Sequence, residues 1–239
     1  MGKRLIQQRR GKGSPTYKRT GFRFRSQTRM KQVKEEGSAV IKDLTTCPAH
    51  SAPLAELRYE DNTSGYIIAP EGVRTGQRIR FSTREVKIGN ITELRKIPEG
   101  TAIFNIEAQP GDGGKFVKAS GMSARIVAKS KSRITILLPS KKKKDFHPEC
   151  RACIGAAAGS GRPEKPFYKA GRKYFEMKSK NRLWPSVSGN SMNAVDHPFG
   201  GTKSNKKGRP TIAPRNAPPG RKVGMISPKD TGRKKGKKR

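Results

Sequence analysis

The sequence predicts a mainly β protein: two small barrels, an OB-like one followed by an SH3-like one, set between long basic N- and C-terminal extensions. Three observations carry this. Apolar residues make up 31% of the 239 residues and aromatics 6%, enough for one or two small cores and too few for a large one. Between about residues 37 and 160, short apolar runs alternate with turn residues at the spacing of short strands. At both ends the composition becomes strongly basic and acids almost vanish.

Charge narrows the function classes. Lys plus Arg number 54 against 18 Asp plus Glu, a formal net charge of +36. A compact chain with that charge repels itself, so a polyanionic partner is expected and an ordinary soluble enzyme is not. The longest apolar runs fall far short of the roughly 20 residues that cross a bilayer, and the basic N-terminus has no apolar signal core. No membrane partner is expected, and the chain reads as soluble and intracellular. Three cysteines make no disulfide framework and fit a reducing compartment.

Residues 1–36 are read as a basic extension. Positions 1–34 hold twelve Lys or Arg and no acid, interleaved with Tyr17, Phe22 and Phe24. Lys3, Arg4, Arg9, Arg10, Lys12, Arg19, Arg23 and Arg25 are candidates to meet phosphates, while the rings can stack on exposed bases.

Residues 37–86 are assigned to the OB-like barrel. Strands are expected at 39–44, 53–59 and 65–69, with a hairpin turn at 60–64. Residues 77–81 alternate, placing Ile79 and Phe81 on one face of a half-buried strand. The open face of such a barrel commonly takes single-stranded nucleic acid.

Residues 87–160 are assigned to the SH3-like barrel. After a turn at 89–90, residues 101–107 alternate with Ile103 and Ile106 inward, and 123–129 pairs with 133–138 across 130–132. Between them lies a glycine-rich loop at 109–121 carrying Lys115 and Lys118. Its glycines can bring backbone amides to a phosphate, with a tight hairpin loop as the equal alternative. The GDGG at 111–114 lacks the Gly-Lys-Ser/Thr ending of a P-loop, and no strand-then-helix unit surrounds it. A nucleotidase is therefore rejected.

Residues 161–239 are read as an extended basic region. The lysine run at 141–144 before it is read as a solvated face, and 154–161 as a small-residue segment. Tyr168, Tyr174 and Phe175 are placed on or near a short helix within 162–182. From residue 201 onward, fourteen Lys or Arg face one acid, Asp230. That tail cannot fold alone. Arg209, Arg215, Arg221 and Lys222 are its candidate phosphate contacts.

Two constellations have a chemical look. CPAH at 47–50 and CRAC at 150–153 are each spaced as zinc ligands, which makes Cys47, His50, Cys150 and Cys153 a weak zinc candidate. The pairs lie about a hundred residues apart on different barrels, so buried thiols are the preferred reading. No metal and no cofactor are expected. His197 has the chemistry of a proton carrier. Its neighbour Asp196 is poorly placed to orient it in an extended segment, and no nucleophile is implied, so no catalytic residue is assigned.

The stretch GNSMNAVDHPFGG at 189–201 offers almost no apolar surface and sets Asp196, His197 and Pro198 between flexible pairs. Its MNAVDHP at 192–198 resembles the signature of the universal large-subunit ribosomal protein family called L-two. The resemblance extends to the first thirteen residues, to PGDGG at 110–114 and to RNAPPGRKVG at 215–224, and thus across nearly the whole chain. The first and last of these blocks are similar to the archaeal and eukaryotic branch. The resemblance implies a structural constituent of the large ribosomal subunit, with large-subunit ribosomal RNA and other ribosomal proteins as partners. It further implies roles in subunit assembly, tRNA placement and contact with the small subunit at the intersubunit face.

In that family the loop lies near the peptidyl-transferase region, which implies a place there for Asn193, Asp196, His197, Gly200 and Gly201, with His197 as an organiser. This chain has Phe199 where the family often has a second histidine, and Thr202 where it often has a glycine. The cysteine resembling Cys150 recurs among such sequences without a metal. From residues alone, a general nucleic-acid-binding or DNA-compacting protein is the alternative, since it needs the same charge without the same loops.

Overall fold

The computed structural model describes residues 2–18, 24–32, 37–201 and 211–228. The chain divides into two compact units, Gly21–Tyr168 and Met1–Thr20 together with Lys169–Arg239.

The first unit is built on one ten-stranded sheet. Its strands are β1 (Gly37–Thr45), β2 (Leu54–Tyr59), β3 (Ser64–Ile68), β4 (Arg78–Phe81), β5 (Ile91–Glu93), β6 (Ala102–Phe104), β7 (Ala124–Lys129), β8 (Ile134–Leu137), β9 (Lys143–Phe146) and β10 (Arg151–Ile154). Their order is β3-β2-β1-β4-β5-β10-β6-β7-β8-β9. β1 to β4 form an antiparallel group, and a parallel pairing of Phe81 with Ile91 joins it to the rest. The chain is thus mainly β, and the two strand groups are consistent with an OB-like barrel followed by an SH3-like one, fused through a shared sheet.

Alternation explains most strands. In β4, Ile79 and Phe81 are buried while Arg78 and Arg80 are exposed. In β7, Ala124 and Ile126 are buried and Arg125 and Val127 are not. The expected turn at 60–64 falls between β2 and β3, and that at 130–132 between β7 and β8. The lysine run behaves differently. Lys143 and Lys144 are exposed yet belong to β9, which pairs with β8. Lys144 lies with its Nζ 4.1 Å from the ring centroid of Phe116, so a cation covers an aromatic edge of the core.

Two apolar clusters fill the unit. The first includes Ile41, Leu54, Leu57, Ile67, Ile79, Phe81, Ile91, Phe104 and Cys153. The second includes Leu94, Ile97, Ile103, Ile106, Ile126, Ile134, Ile136, Phe146, Cys150 and Ile154. β10 lies between β5 and β6, and every residue of it is buried. Its Cys153 belongs to the first cluster while Ala152 and Ile154 belong to the second. A strand that serves two cores has no solvent face, so it shows no polar alternation.

Residues 24–32 are also part of this unit. Met30 is 1% exposed within the first cluster. Its amide donates to the Gly113 carbonyl at 3.0 Å, and the Arg29 amide donates to the Tyr66 carbonyl at 3.0 Å. The Arg151 guanidinium donates from Nη1 to the Lys31 carbonyl at 2.7 Å, and Lys31 itself is paired with Asp61. This short strap therefore ties the first strand group to the glycine-rich loop of the second.

In the second unit, α1 (Ile6–Gly11) is one short helix whose entry is held by a hydrogen bond from the Leu5 amide to Gln8 Oε1, 3.0 Å. A ten-residue helix, α2 (Ala170–Ser179), occupies the region where the sequence places a short helix. β11 (Ile212–Ala213) and β12 (Met225–Ile226) form a small parallel pair.

Candidate nucleic-acid interface

The loop at 189–201 is a knot of turns held by its own backbone. The amides of Asp196 and His197 both donate to the Asn193 carbonyl, at 2.9 and 3.1 Å, and the Gly200 and Gly201 amides donate to the carbonyls of His197 and Met192. Gly200 is needed because a Cβ there would overlap the Asn193 and Met192 carbonyls, and a Cβ on Gly189 would overlap the His197 ring. The imidazole is therefore packed flat against a glycine.

His197 Nδ1 accepts a hydrogen bond from the Phe199 amide at 3.0 Å. A neutral ring then carries its proton on Nε2. The Phe199 ring lies beside it, centroids 5.1 Å apart. Asp196 is paired with the N-terminal arm. Its carboxylate is 3.7 Å from Lys3 Nζ, and the Lys3 amide donates to the Val195 carbonyl at 2.8 Å. The arm and the loop together enclose a cleft of about 570 Å³, lined among others by Lys3, Arg4, Gln8, Asp196, His197 and Pro219. Two segments from opposite ends of the sequence thus make one site. The lining holds two cations, one of them paired with the Asp196 carboxylate, and an imidazole, which leaves Arg4 to meet an anionic, hydrogen-bonding ligand.

The predicted phosphate contacts divide by environment. Lys3, Arg4, Arg9 and Lys12 near α1 are exposed, as are Arg25, Lys115, Arg215, Arg221 and Lys222. Arg10 is half-buried and donates to the Asn181 backbone carbonyl at 2.6 Å and to its side-chain oxygen at 3.2 Å. Arg19, Arg23 and Arg209 lie outside the described residues.

The glycine-rich loop turns its amides inward. Glu107 is fully buried, and its carboxylate accepts from the amides of Gly111 and Gly113 at 3.3 and 3.1 Å. It also accepts from Arg151 through the amide, Nε and Nη2, at 2.9, 3.3 and 2.7 Å. The Gly114 amide goes to Asp112 Oδ1 at 3.0 Å. These amides are satisfied by the protein's own acids rather than presented to solvent. Lys118 Nζ reaches the carbonyls of Thr28 and Gly114 at 3.3 and 3.4 Å. Burial, followed by the nearby Lys115, lowers its pKa. Nothing local in the sequence marks Glu107 and Arg151 as partners; the one available hint is an acid directly before a glycine-rich loop.

A second concavity of about 550 Å³ lies on the β7–β8 side, lined among others by Arg95, Lys129, Lys131 and His147. Arg95, Lys129 and Lys131 have no shared signature in the sequence because they are scattered over more than thirty positions.

The four thiol and imidazole candidates are not brought together. Cys47 and Cys153 belong to the first core and Cys150 to the second. Cys153 Sγ lies 3.8 Å from Asn105 Nδ2 and 4.0 Å from Met30 Sδ, and His50 Nε2 lies 3.4 Å from Thr28 Oγ1. Burial pushes Cys150 up to about 11 and Cys153 up to about 12, so both thiols stay protonated in the metal-free chain at neutral pH. Among the described residues, no three His, Cys, Asp or Glu side chains are grouped to hold a metal ion. Among them, too, no helix is long and apolar enough to cross a membrane.

Two fused β-barrel-like groups, exposed cations in both units and a glycine-pinned loop beside a cationic arm define a nucleic-acid-binding protein of the small-barrel class. Comparison with known families is specific. The RNA binding N-terminal domain of Ribosomal Proteins L2 matches residues 2–81, and the C-terminal domain of the same family matches 87–220. The chain is similar to the large ribosomal subunit protein uL2 of Archaeoglobus fulgidus, 49% identical over 234 residues, covering 97% of this chain and 99% of the relative. It is 48% identical to the protein of that name from Methanopyrus kandleri, covering 98% of each, and 44% identical to that of Methanococcoides burtonii, covering 98% of this chain and all of the relative. The chain belongs to the ribosomal protein L2 family.

Proposed function

We propose that this chain is a structural, non-enzymatic constituent of the large ribosomal subunit that binds large-subunit ribosomal RNA in the cytoplasm. The observation that carries the reading is near-half identity, over almost the entire length, to proteins named for that subunit. The net charge of +36 supports it, because that charge needs a polyanion to neutralise it. Residues 37–86 and 87–160 serve as the two RNA-binding barrels, with 1–36 and 161–239 as basic segments that order on RNA. Lys3, Arg4, Arg9, Arg10, Lys12, Arg25, Lys115, Lys118, Arg215, Arg221 and Lys222 contact phosphate in this reading, as do Arg19, Arg23 and Arg209. The native protein should sediment with large subunits in a lysate and leave that fraction after ribonuclease treatment. Release by deoxyribonuclease instead would identify a DNA-compacting protein.

The finer part of the reading concerns the loop. It places Asn193, Asp196, His197, Gly200 and Gly201 near the peptidyl-transferase region, and it includes contacts with other ribosomal proteins and with the small subunit. His197 acts there as an organiser: its Nδ1 is taken by the Phe199 amide and its ring is seated on Gly189. In subunits reconstituted to equal incorporation, His197→Gln should retain most single-turnover peptidyl transfer, with His197→Ala worse. A general base would lose about 10² to 10⁴-fold in both variants, and that outcome would make His197 chemical.

A further inference from the structure

We propose that α2 is a base-stacking element: Phe175 receives an unpaired RNA base, and Arg172 and Lys178 meet the phosphates on either side of it. The proposal rests on the ribosomal RNA-binding reading above and adds a site to it. α2 has ten residues and buries none of them. Isolated helices shorter than about 12–15 residues are marginal in water, so a partner that covers the exposed face would stabilise this one. Phe175 is 67% exposed and Tyr174 is 44% exposed, their rings in edge contact at 5.4 Å.

The chemistry around the ring selects the partner. Residues 169–182 hold six Lys or Arg against Glu176, and Glu176 is already paired with Lys180. Such a surface repels a basic partner and favours a polyanion with flat apolar faces, which describes a single-stranded stretch of RNA. Arg172 and Lys178 lie three residues before and after Phe175, on the same face of the helix. Helical side chains lean toward the N-terminus, so the position one turn before Phe175, Gly171, is the one from which a side chain could reach the ring. Gly171 has an ordinary helical φ, and a Cβ there would meet nothing within 4 Å. The chain's own packing does not require a glycine, and most other residues would form a better helix. A glycine there keeps any side chain off the turn before the exposed Phe175 ring, which leaves room for another molecule to approach closely.

The test uses the full-length protein and transcribed large-subunit ribosomal RNA carrying 4-thiouridine, with affinity read by filter binding at fixed salt. Stacking on an aromatic contributes enough per base that Phe175→Leu should weaken binding about 5- to 150-fold, while Phe175→Tyr stays within about twofold of wild type. Both should keep the wild-type salt slope, whereas Arg172→Gln should reduce it by about 0.7–0.9. Gly171→Met should strengthen the helix by circular dichroism and still weaken binding, which separates docking from folding. Photo-crosslinks should map to Phe175 or Tyr174. Equal binding by Phe175→Leu and wild type overturns the proposal and points to an apolar protein partner instead. Equal losses in Phe175→Leu and Phe175→Tyr overturn it as well. Failure of the wild type to bind the RNA would sink the underlying functional reading rather than this site.

Discussion

Glu107→Gln should be among the most destabilising conservative changes in the chain. The carboxylate is buried, and its two oxygens accept five N–H groups between them. A Gln side chain has the same shape but turns one oxygen into a donor. On the Oε1 side that donor would face the Gly113 amide and Arg151 Nη2; on the Oε2 side it would face the Gly111 amide and two nitrogens of Arg151. Either orientation orphans at least two donors and leaves a buried guanidinium without its counter-charge. Removing one partner of a buried pair costs about 3–5 kcal/mol. Against a total stability of about 5–15 kcal/mol, that is a large fraction. For a unit of this size it corresponds to a fall of about 6–20 °C in Tm. Thermal unfolding of the free protein by circular dichroism should show it. Glu107→Gln combined with Arg151→Met should lose much less than the sum of the single variants, because the two groups form one pair. A loss below about 1 kcal/mol, or strictly additive losses, would refute this account of the loop.

Three further outcomes follow from other parts of the chain. Gly113 has φ of +82°, and a Cβ there would overlap the Arg29 side chain, so Gly113→Ala should cost about 1–3 kcal/mol and speed tryptic cutting at Arg29–Met30; an unchanged rate would mean that the strap is not held there. Cys150 and Cys153 have folded-state pKa values above the ordinary 9.0, so the unfolded chain loses its thiol protons first. Their contribution to stability is complete below pH 9 and should fall away between pH 9 and about 12, with a shallower fall in a variant carrying Ala at both positions; equal slopes would contradict the burial argument. Deleting residues 203–239 removes fourteen of the 54 cations and should flatten the log–log salt dependence of RNA binding by up to about 10 units, whereas an unchanged slope would mean that the tail does not touch phosphate.

What was legible in the sequence is what has a short-range signature. Ile79 and Phe81 alternate with arginines because β4 has one wet face, and the turn at 60–64 is written in polar residues. β10 has no such signature, because its two faces serve two cores and all four of its residues are buried. Met30 sits among basic and polar neighbours that describe an arm, and only its insertion beside Cys153 reveals a core residue. In the loop at 189–201 the glycines announced a special backbone, and Gly189 and Gly200 are indeed positions where a side chain would collide. That Lys3 would lie across from Asp196 was not legible, since a pairing across more than 190 residues leaves no local pattern. The glycine-rich loop was open between a phosphate cradle and a tight turn. Which of the two it is depends on Glu107, whose role is fixed by Arg151 forty-four positions later.

The sharing of β10 also sets the order in which the first unit can close. The first core draws on Cys153 and Ala157, and Pro70 bridges to Ala157, yet β1 to β4 end at Phe81. At about 5–20 residues per second, the segment between emerges from a translating ribosome over about 4–15 s, during which the first core has Ile91 and Phe104 but lacks Cys153 and Ala157. Joining them then requires a long chain loop to close, which slows folding more than it weakens the folded state. For that interval β5 and β6 lack β10, the strand that lies between them, and an RNA surface or a chaperone that covers those edges would protect the nascent chain from aggregation.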